Sequence, residues 1–507
     1  MNWTDPEKFI KMISLSRLTL FVIMALLLSP ANQVQAQNSQ WSFPQTIPSY
    51  DLDSAPPILV VDSNNTVHAF STQWITAGDD VRLKVVVYNR WTLEYGWTPP
   101  IDIVSSPIKE ARVTDAYLDD SGIFHLAFWG GDGTDADIYY SKSPVDSVDS
   151  ARSWSKPIVV GDEAGDPEGA VFVKNDQGEI ILVFNSTQYG NGLYAVTSSD
   201  NGDTWSFPIP IFIANIEAPN IYFLRAIHSE SGWLHAVWNV YNAGGQGRGI
   251  YYTRSADGES WDQPTLLADA QEGLGTQTPA LVEYMGNLSA LYILPPKIIM
   301  RMSTDNGETW LDPVILFSRH IGVNGSLSLV VDSNEDLHLL FGQRISGSPD
   351  IHGMWHSAWV NNRWTEPDAV IKGPQVNDLT GYGSFDPNSA RAVVSRGNVI
   401  LVTWRTDPGF KGNGVWFSYK KVDAPELPAA LPGSTQPDQS AALEPSISPG
   451  ETPSLAGTNA GDITLPEETT RIPQQGGLIE GISVYVWIIV VAIMIVVVYS
   501  IRKKTSR

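Results

Sequence analysis

A four-residue phrase, Trp-x-x-Pro, recurs seven times and constrains the fold of this chain more than any other feature in it. It reads WSFP from Trp41, WTPP from Trp97, WSKP from Trp154, WSFP from Trp205, WDQP from Trp261, WLDP from Trp310 and WTEP from Trp364. Successive tryptophans lie 56, 57, 51, 56, 49 and 54 residues apart. A period near 50 belongs to stacked or radially repeated units rather than to one irregular core.

Each interval has the same internal order. From Pro56 an apolar run (ILVVD) meets a polar turn (SNN), a second run (TVHAF) leads through a polar loop to a third (VRLKVVVY), and the Trp-x-x-Pro stretch supplies a fourth. Short β-branched and aromatic runs divided by Asn, Asp, Ser and Gly read as antiparallel strands joined by tight turns. The order recurs in intervals beginning near Ala111, Asp166, Pro219, Thr278, Ser326 and Asp386. Seven units of four strands predict an all-β fold, a seven-bladed β-propeller.

The two ends of the array complete each other. The last unit, about 386 to 420, has three strands and no Trp-x-x-Pro, whereas the copy at Trp41 precedes any strands it could follow. The N-terminal stretch is therefore expected to close the ring as the outer strand of the last blade, which also hides a sheet edge. A tryptophan packed between blades would bury about 150 to 250 Å², worth at most roughly 4 to 6 kcal/mol. These tryptophans read as structure, not as ligand stackers.

The flanks read differently. Residues 1–36 have the form of a signal peptide, with Lys8, Lys11 and Arg17 ahead of the apolar core Leu18 to Leu28 and cleavage expected after Ala36. The propeller is expected over 38–421, followed by a disordered Pro/Ser/Gly-rich stalk over 422–480, whose composition cannot bury enough apolar surface to fold. Residues 481–501 are expected as one transmembrane helix, with 482–501 its apolar run. The basic tail 502–507 places the C-terminus in the cytoplasm and the propeller outside the cell.

Composition excludes other classes. A net charge of −23 opposes binding to a phosphate backbone, so no nucleic acid is expected. The absence of cysteine removes disulfides, thiolate zinc sites and cysteine nucleophiles. Serine-hydrolase elbows, P-loops and dinucleotide fingerprints are absent, and no cofactor is expected. The loop GGDGTDAD, Gly130 to Asp137, lacks EF-hand spacing and reads as a polar hairpin. Histidines recur on the second run at His68, His125, His235 and His338. Equivalent positions on different blades are too far apart to share one ion, so they are expected to make interblade hydrogen bonds, and no metal site is expected.

Two units contain Ser-x-Asp-x-Gly-x-Thr-Trp: Ser198, Asp200, Gly202, Thr204, Trp205, and Ser303, Asp305, Gly307, Thr309, Trp310; a shorter form surrounds Asp257, Gly258 and Trp261. Asp and Ser oxygens capping turn amides, with Gly at positive φ, make a self-capped hairpin. The phrase resembles the Asp box, or BNR repeat, of the sialidase-like propellers, and the likeness covers about 40 to 420. It implies that these boxes are structural turns away from the active site. Sialidases in this family use an arginine triad, an Asp acid/base and a Tyr nucleophile paired with Glu, usually on six blades, with an early Arg-Ile-Pro signature that this chain lacks. No catalytic residue is transferred; Arg112, Arg344 and Arg405 are the arginine candidates.

Propeller ligands usually meet a central funnel. The loops between second and third strands carry Trp74, Trp129, Tyr189, Tyr241, Arg248, Arg344, His352, Arg405 and Lys411, where aromatic faces and arginines suit an anionic glycan. The other funnel loops carry Asp51, Asp53, Glu110, Asp166, Glu168 and Glu217. The expected function is a membrane-anchored surface propeller that binds a glycan or a surface protein through its funnel, with catalysis not evident. The alternative is an exo-glycosidase of sialidase type acting on sialylated or other acidic glycans, and a third reading is an assembly module that uses the blade rims.

Overall fold

The computed structural model describes residues 41–77, 81–107, 109–132, 136–161, 169–214, 220–270, 275–320, 323–343, 353–372, 387–406 and 414–429. Two compact units are distinguished, Met1–Ala442 and Leu443–Arg507, the second wholly outside the described residues. The signal stretch and the 482–501 stretch lie outside them as well. Among the described residues no helix is long and apolar enough to cross a membrane.

The described chain forms seven antiparallel sheets arranged as blades. Blade 1 begins at Ile58–Val61, blade 2 at Glu110–Leu118, blade 3 at Ala170–Lys174, blade 4 at Asn220–His228, blade 5 at Gln277–Tyr284, blade 6 at Val323–Val331 and blade 7 at Pro387–Ser395. Each of these first strands touches the first strand of the next blade, and Pro387–Ser395 returns to Ile58–Val61, so the seven surround an axis. In blades 1 and 6 the outermost strand is split: Gly96–Trp97 and Ile101–Val104 both pair with Val81–Thr92, and Arg363–Trp364 and Asp368–Lys372 both pair with Gly353–Val360. The outermost strand of blade 7 is Gln45–Thr46, paired antiparallel with Phe417 and Trp416, while Trp41 bridges Lys420.

The core is not central. Among the described residues seven apolar clusters form, each between two neighbouring blades, and each contains one of the seven repeat tryptophans. Trp154 meets Phe70 of blade 1 edge-on at 6.1 Å, Trp205 meets Tyr140 of blade 2 at 5.1 Å and Trp310 meets Tyr252 of blade 4 at 4.9 Å. The period in the sequence is thus one wedge per blade junction, with T-shaped contacts that favour the ring quadrupoles.

The recurring histidines tie blades 1, 2, 4 and 6 together internally. In blade 2, Asp119 caps the first turn by accepting the amides of Ser121 (2.9 Å) and Ile123 (2.7 Å), and its other oxygen faces His125 Nε2 at 3.3 Å. His125 Nδ1 then meets the Tyr140 hydroxyl at 2.7 Å. Blade 1 repeats the arrangement with Asp62, His68 and Tyr88, and blade 4 with Ser229, His235 and Tyr252. The interblade bonding expected of these histidines is corrected by this geometry: the imidazole bridges strands of its own blade, and the tyrosine reaches the neighbour. Among the described residues no group of three His, Asp or Glu is placed to hold a metal.

The paired Ser-x-Asp-x-Gly turns follow the chemistry of their residues. Asp200 accepts the Thr204 amide (2.8 Å) and hydroxyl (2.5 Å), Ser198 accepts the Gly202 amide at 2.8 Å, and Asp305, Thr309, Ser303 and Gly307 repeat every bond. Those bonds hold both carboxyls down to about 2. The expected boundary at 422 shifts outward: Leu427 donates its amide to the Arg396 carbonyl at 2.8 Å, and Glu426 pairs with Arg396 and Lys421, so the first residues assigned to the stalk lie on the ring.

Candidate functional site: an axial well with a charged floor

The first strands do not run straight. In blades 2, 4, 5, 6 and 7 their register against the second strand slips, between Val113 and Asp115, Tyr222 and Arg225, Gln277 and Ala280, Asn324 and Ser328, and Asn388 and Arg391. Left-handed backbone sits at four of the slips, at Phe223 (φ 57), Thr278 (φ 41), Gly325 (φ 75) and Ser389 (φ 56). Such conformations cost a bulky residue free energy and persist only where the surroundings impose them. Bulges re-aim side chains, and here three of them deliver a charged residue: Asp115, Arg225 and Arg391.

These three residues come from blades 2, 4 and 7, yet they act on one another electrostatically. Blades so far apart around a ring approach only at its axis, so the three groups form the charged floor of an axial well. Burial pushes the Asp115 carboxyl up to about 6, opposed by the amides of Phe172 and Ala116 and by the two arginines. Burial lowers Arg391 to about 10, with Arg225 adding repulsion and Asp115 opposing, and burial likewise lowers Arg225. All three are half-buried. Asp115 is oriented by accepting the Phe172 amide of blade 3 at 2.8 Å. Arg225 donates to the Leu224 carbonyl at 2.7 Å. Among the described residues no carboxylate lies within salt-bridge distance of Arg225 or Arg391.

The rim lies about 7 Å above the floor, three residues earlier on strands whose bulges leave two steps along the partner strand. Over blades 1 and 2, the Trp74 ring is covered by Arg82 (4.8 Å) and Lys84 (4.7 Å), Lys84 faces Glu110 at 3.8 Å, and Glu110 pairs with Arg112 at 2.9 Å. Arg112 in turn lies over Trp129 at 4.6 Å. Trp129 is 3% exposed and packs between blades 2 and 3, so its ring offers no free face to a sugar. Over blade 4, Tyr222, Phe223 and Tyr241 form an aromatic cluster with centroids 5.3 to 6.3 Å apart, and burial with the neighbouring Tyr222 raises Tyr241 to about 12.

Several residues expected on loops are on strands instead: Trp74 in Val67–Ala77, Trp129 in Ile123–Gly131, Tyr241 in Leu234–Tyr241, Arg248 in Gly247–Ser255 and Arg405 in Val399–Thr406. The hairpins are longer than the apolar runs that announce them. Tyr189 does sit on a loop, 52% exposed, against Tyr194. Arg405 lies at the well end of blade 7, opposite Asn388. Asp51 accepts the Trp74 amide at 2.7 Å, and Asp53 is exposed. Arg344, His352, Lys411, Asp166, Glu168 and Glu217 lie outside the described residues. The floor itself was missed. Its signal was present in EARVTDAYL, NIYFLRAIH and PNSARAVVS, each an innermost strand with a charged residue in its middle.

No protein-family model matches the chain, and no curated protein matches its sequence. Solved structures do match. A polysaccharide lyase, an ulvan lyase of a new family, aligns over 74% of this chain and 96% of its own at 13% identity and a TM-score of 0.50, and the same lyase bound to -[GlcA(1-4)Rha3S]- aligns with the same values. The NanB sialidase from Streptococcus pneumoniae aligns over 75% of this chain and 70% of its own at 12% identity and a TM-score of 0.41. At such identities the likeness concerns architecture alone, and the chain is a seven-bladed β-propeller in fold.

Proposed function

We propose that this protein binds an anionic glycan in its axial well, with Arg225 and Arg391 as the anchors for a carboxylate or sulfate. One observation carries the reading: two guanidiniums stand together at the floor, repel one another and have no carboxylate in contact among the described residues. A buried charge without a partner is costly, and a planar anion supplied by a ligand would relieve both at once through paired hydrogen bonds. The rim supports the same reading, since Tyr222, Phe223 and Tyr241 offer aromatic surface for sugar C–H faces beside the opening. An ulvan lyase of the same fold has been solved bound to -[GlcA(1-4)Rha3S]-, an acidic saccharide.

A second reading rests on Asp115. A carboxyl held near 6 beside an anion site has the acidity that proton transfer at neutral pH requires. The propeller would then turn over an acidic glycan, by exo-glycosidic hydrolysis or by elimination. We propose further that 1–36 export the chain, that 482–501 anchor it with the propeller outside the cell, and that the Gln45–Thr46 strand serves as the closure of the ring.

The test uses the purified full-length chain. Calorimetric titration with a uronate- or sulfate-bearing oligosaccharide and with its neutral counterpart is expected to show binding of the acidic one alone, weakened about ten- to hundredfold in Arg225→Ala and in Arg391→Ala. Equal binding of both sugars, or unchanged affinity in both variants, would overturn the assignment. Release of new reducing ends by wild type but not by Asp115→Asn would select the enzymatic reading.

A further inference from the structure

Blade 6 departs from its neighbours at one position. In blades 1, 2 and 4 the second-strand histidine meets a third-strand tyrosine, at 2.9 Å for His68 and Tyr88, 2.7 Å for His125 and Tyr140, and 2.6 Å for His235 and Tyr252. The corresponding place on the third strand of blade 6, opposite Leu340, is occupied by His356. His338 Nδ1 lies 2.9 Å from His356 Nε2, and both imidazoles are 3% exposed.

The remaining ring nitrogens are also committed. His338 Nε2 faces Asp332 Oδ2 at 3.2 Å, and His356 Nδ1 faces Asp368 Oδ1 at 2.6 Å. Asp368 Oδ2 accepts the Trp41 indole N–H at 3.0 Å and the Lys420 ammonium at 3.3 Å. The Trp41 ring also stands edge-on to His356 at 5.4 Å. An unbroken chain of bonds therefore runs from the first turn of blade 6 to the residue that leads into the outer strand of blade 7.

The donors and acceptors in this chain can be counted. An ionised carboxylate only accepts, so each outer bond needs an N–H on the imidazole side. Two neutral imidazoles have one N–H each, both then spent on the aspartates, which leaves two lone pairs facing across 2.9 Å. The central bond forms only when the pair holds one additional proton. With that proton the positive charges of the pair and Lys420 balance the negative charges of Asp332 and Asp368. With a second additional proton two N–H groups face each other and the bond is lost again.

We propose that Asp332, His338, His356 and Asp368 form a one-proton latch, which seats Trp41 and the Gln45–Thr46 strand against blades 6 and 7 only while the histidine pair shares a single additional proton. The charged groups around the pair act on both limits. Asp332, Asp336 and Asp368 favour protonation, and Lys420 opposes it at His356. Burial and then the neighbouring imidazole depress protonation of His338, and burial, with Lys420, depresses that of His356, so the first additional proton is held below the ordinary histidine value of about 6.5 and the second enters only in stronger acid. The two steps belong to the pair as a unit.

Hydrogen exchange on the full-length chain, read by mass spectrometry, tests this. The Ser42 and Ile47 amides, bonded to the Tyr419 and Val415 carbonyls at 2.7 and 2.8 Å, report the seated strand. The Val160 amide, bonded to Ile138 at 2.9 Å beside the outer strand of blade 2, is the internal reference. Protection of Ser42 and Ile47 relative to Val160 is expected to be greatest in mildly acid solution, below the ordinary histidine value of about 6.5, and to fall several-fold both as pH rises through neutrality and in stronger acid. His356→Tyr installs the pairing of blades 1, 2 and 4 and is expected to flatten the profile. Should that variant not fold, His338→Gln, which donates and accepts at fixed charge, takes its place with the same expectation. A flat wild-type profile, or one equally pH-dependent in the variant, would overturn the latch.

Discussion

The Tyr140 hydroxyl of blade 2 lies against Gly202 of blade 3, and Tyr252 of blade 4 lies the same way against Gly307 of blade 5. Each hydroxyl faces the carbonyl just before that glycine, of Asn201 and of Asn306, at 3.5 Å. Each tyrosine is held from behind by its own blade's histidine. The glycine of the self-capped turn is therefore needed twice: by its own backbone, at φ +85 for Gly202 and +78 for Gly307, and by the ring from the preceding blade. The turns are joints between blades as much as hairpins within them.

Replacement of that glycine separates the two demands. A Cβ at Gly202 would stand 1.9 Å from the Tyr140 oxygen, whereas at Gly286, at φ +69, nothing lies within 4 Å. Gly286→Ala is expected to cost about 1 kcal/mol, the backbone penalty alone. Gly202→Ala is expected to cost about 3 kcal/mol or more, because a packed tyrosine and its histidine must also move. Denaturant midpoints of the two variants measure the difference, and equal losses would show that Tyr140 yields freely.

The repeat phrase contains two aromatic positions with opposite fates. Trp154 is 8% exposed between blades 1 and 2, while Phe207, the third residue of a WSFP phrase, is 85% exposed. Trp154→Ala is expected to cost about 3 to 5 kcal/mol through the cavity it leaves, and Phe207→Ala to stay within about 0.5 kcal/mol. Thermal unfolding of both decides whether the tryptophan is the wedge. A comparable loss for Phe207 would place the strength of the junction elsewhere.

Burial of His235, with Arg254 and His228 nearby, depresses its protonation to about 4. The folded state thus takes up the proton later than the unfolded chain does, and stability is lost as pH falls from about 6.5 toward 4. His235→Phe removes the bonds to Tyr252 and Ser229 and lowers stability at neutral pH. It is also expected to flatten the acid slope of the unfolding midpoint over that window. An unchanged slope would assign the acid sensitivity to other groups.

The ring was legible in the sequence because repetition and the hydrophobic effect act together: one tryptophan every fifty or so residues, and one apolar cluster for each. The capped turns were legible because Ser198, Asp200 and Gly202 make their bonds within five residues. The floor of the well was not, because Asp115, Arg225 and Arg391 come together only after three bulges turn strands from blades 2, 4 and 7 toward one axis. The arginine candidates lie near loops, and Arg112 is paired with Glu110. The histidine repeat was visible, but its direction of bonding depended on a tyrosine of the third strand, at a spacing set by hairpin length.

The well makes the last prediction, and its sign follows from Asp115. Its folded value, about 6, lies above the ordinary 3.8, so between those two the fold holds more protons than the unfolded chain. That contribution to stability is present below the unfolded value and is lost as pH rises through about 6. Asp115→Asn keeps an acceptor for the Phe172 amide, and so is expected to unfold at the same or a higher temperature at neutral pH while losing this pH dependence. Anion binding is expected to follow the same titration: wild-type affinity for an acidic oligosaccharide rises as pH falls through about 6 and the negative charge leaves the floor, and Asp115→Asn binds tightly at both ends of that range. Arg225→Ala and Arg391→Ala are each expected to weaken binding about ten- to hundredfold, the range for a charge-assisted hydrogen bond. An affinity that falls on acidification would mean that Asp115 holds the ligand rather than repels it.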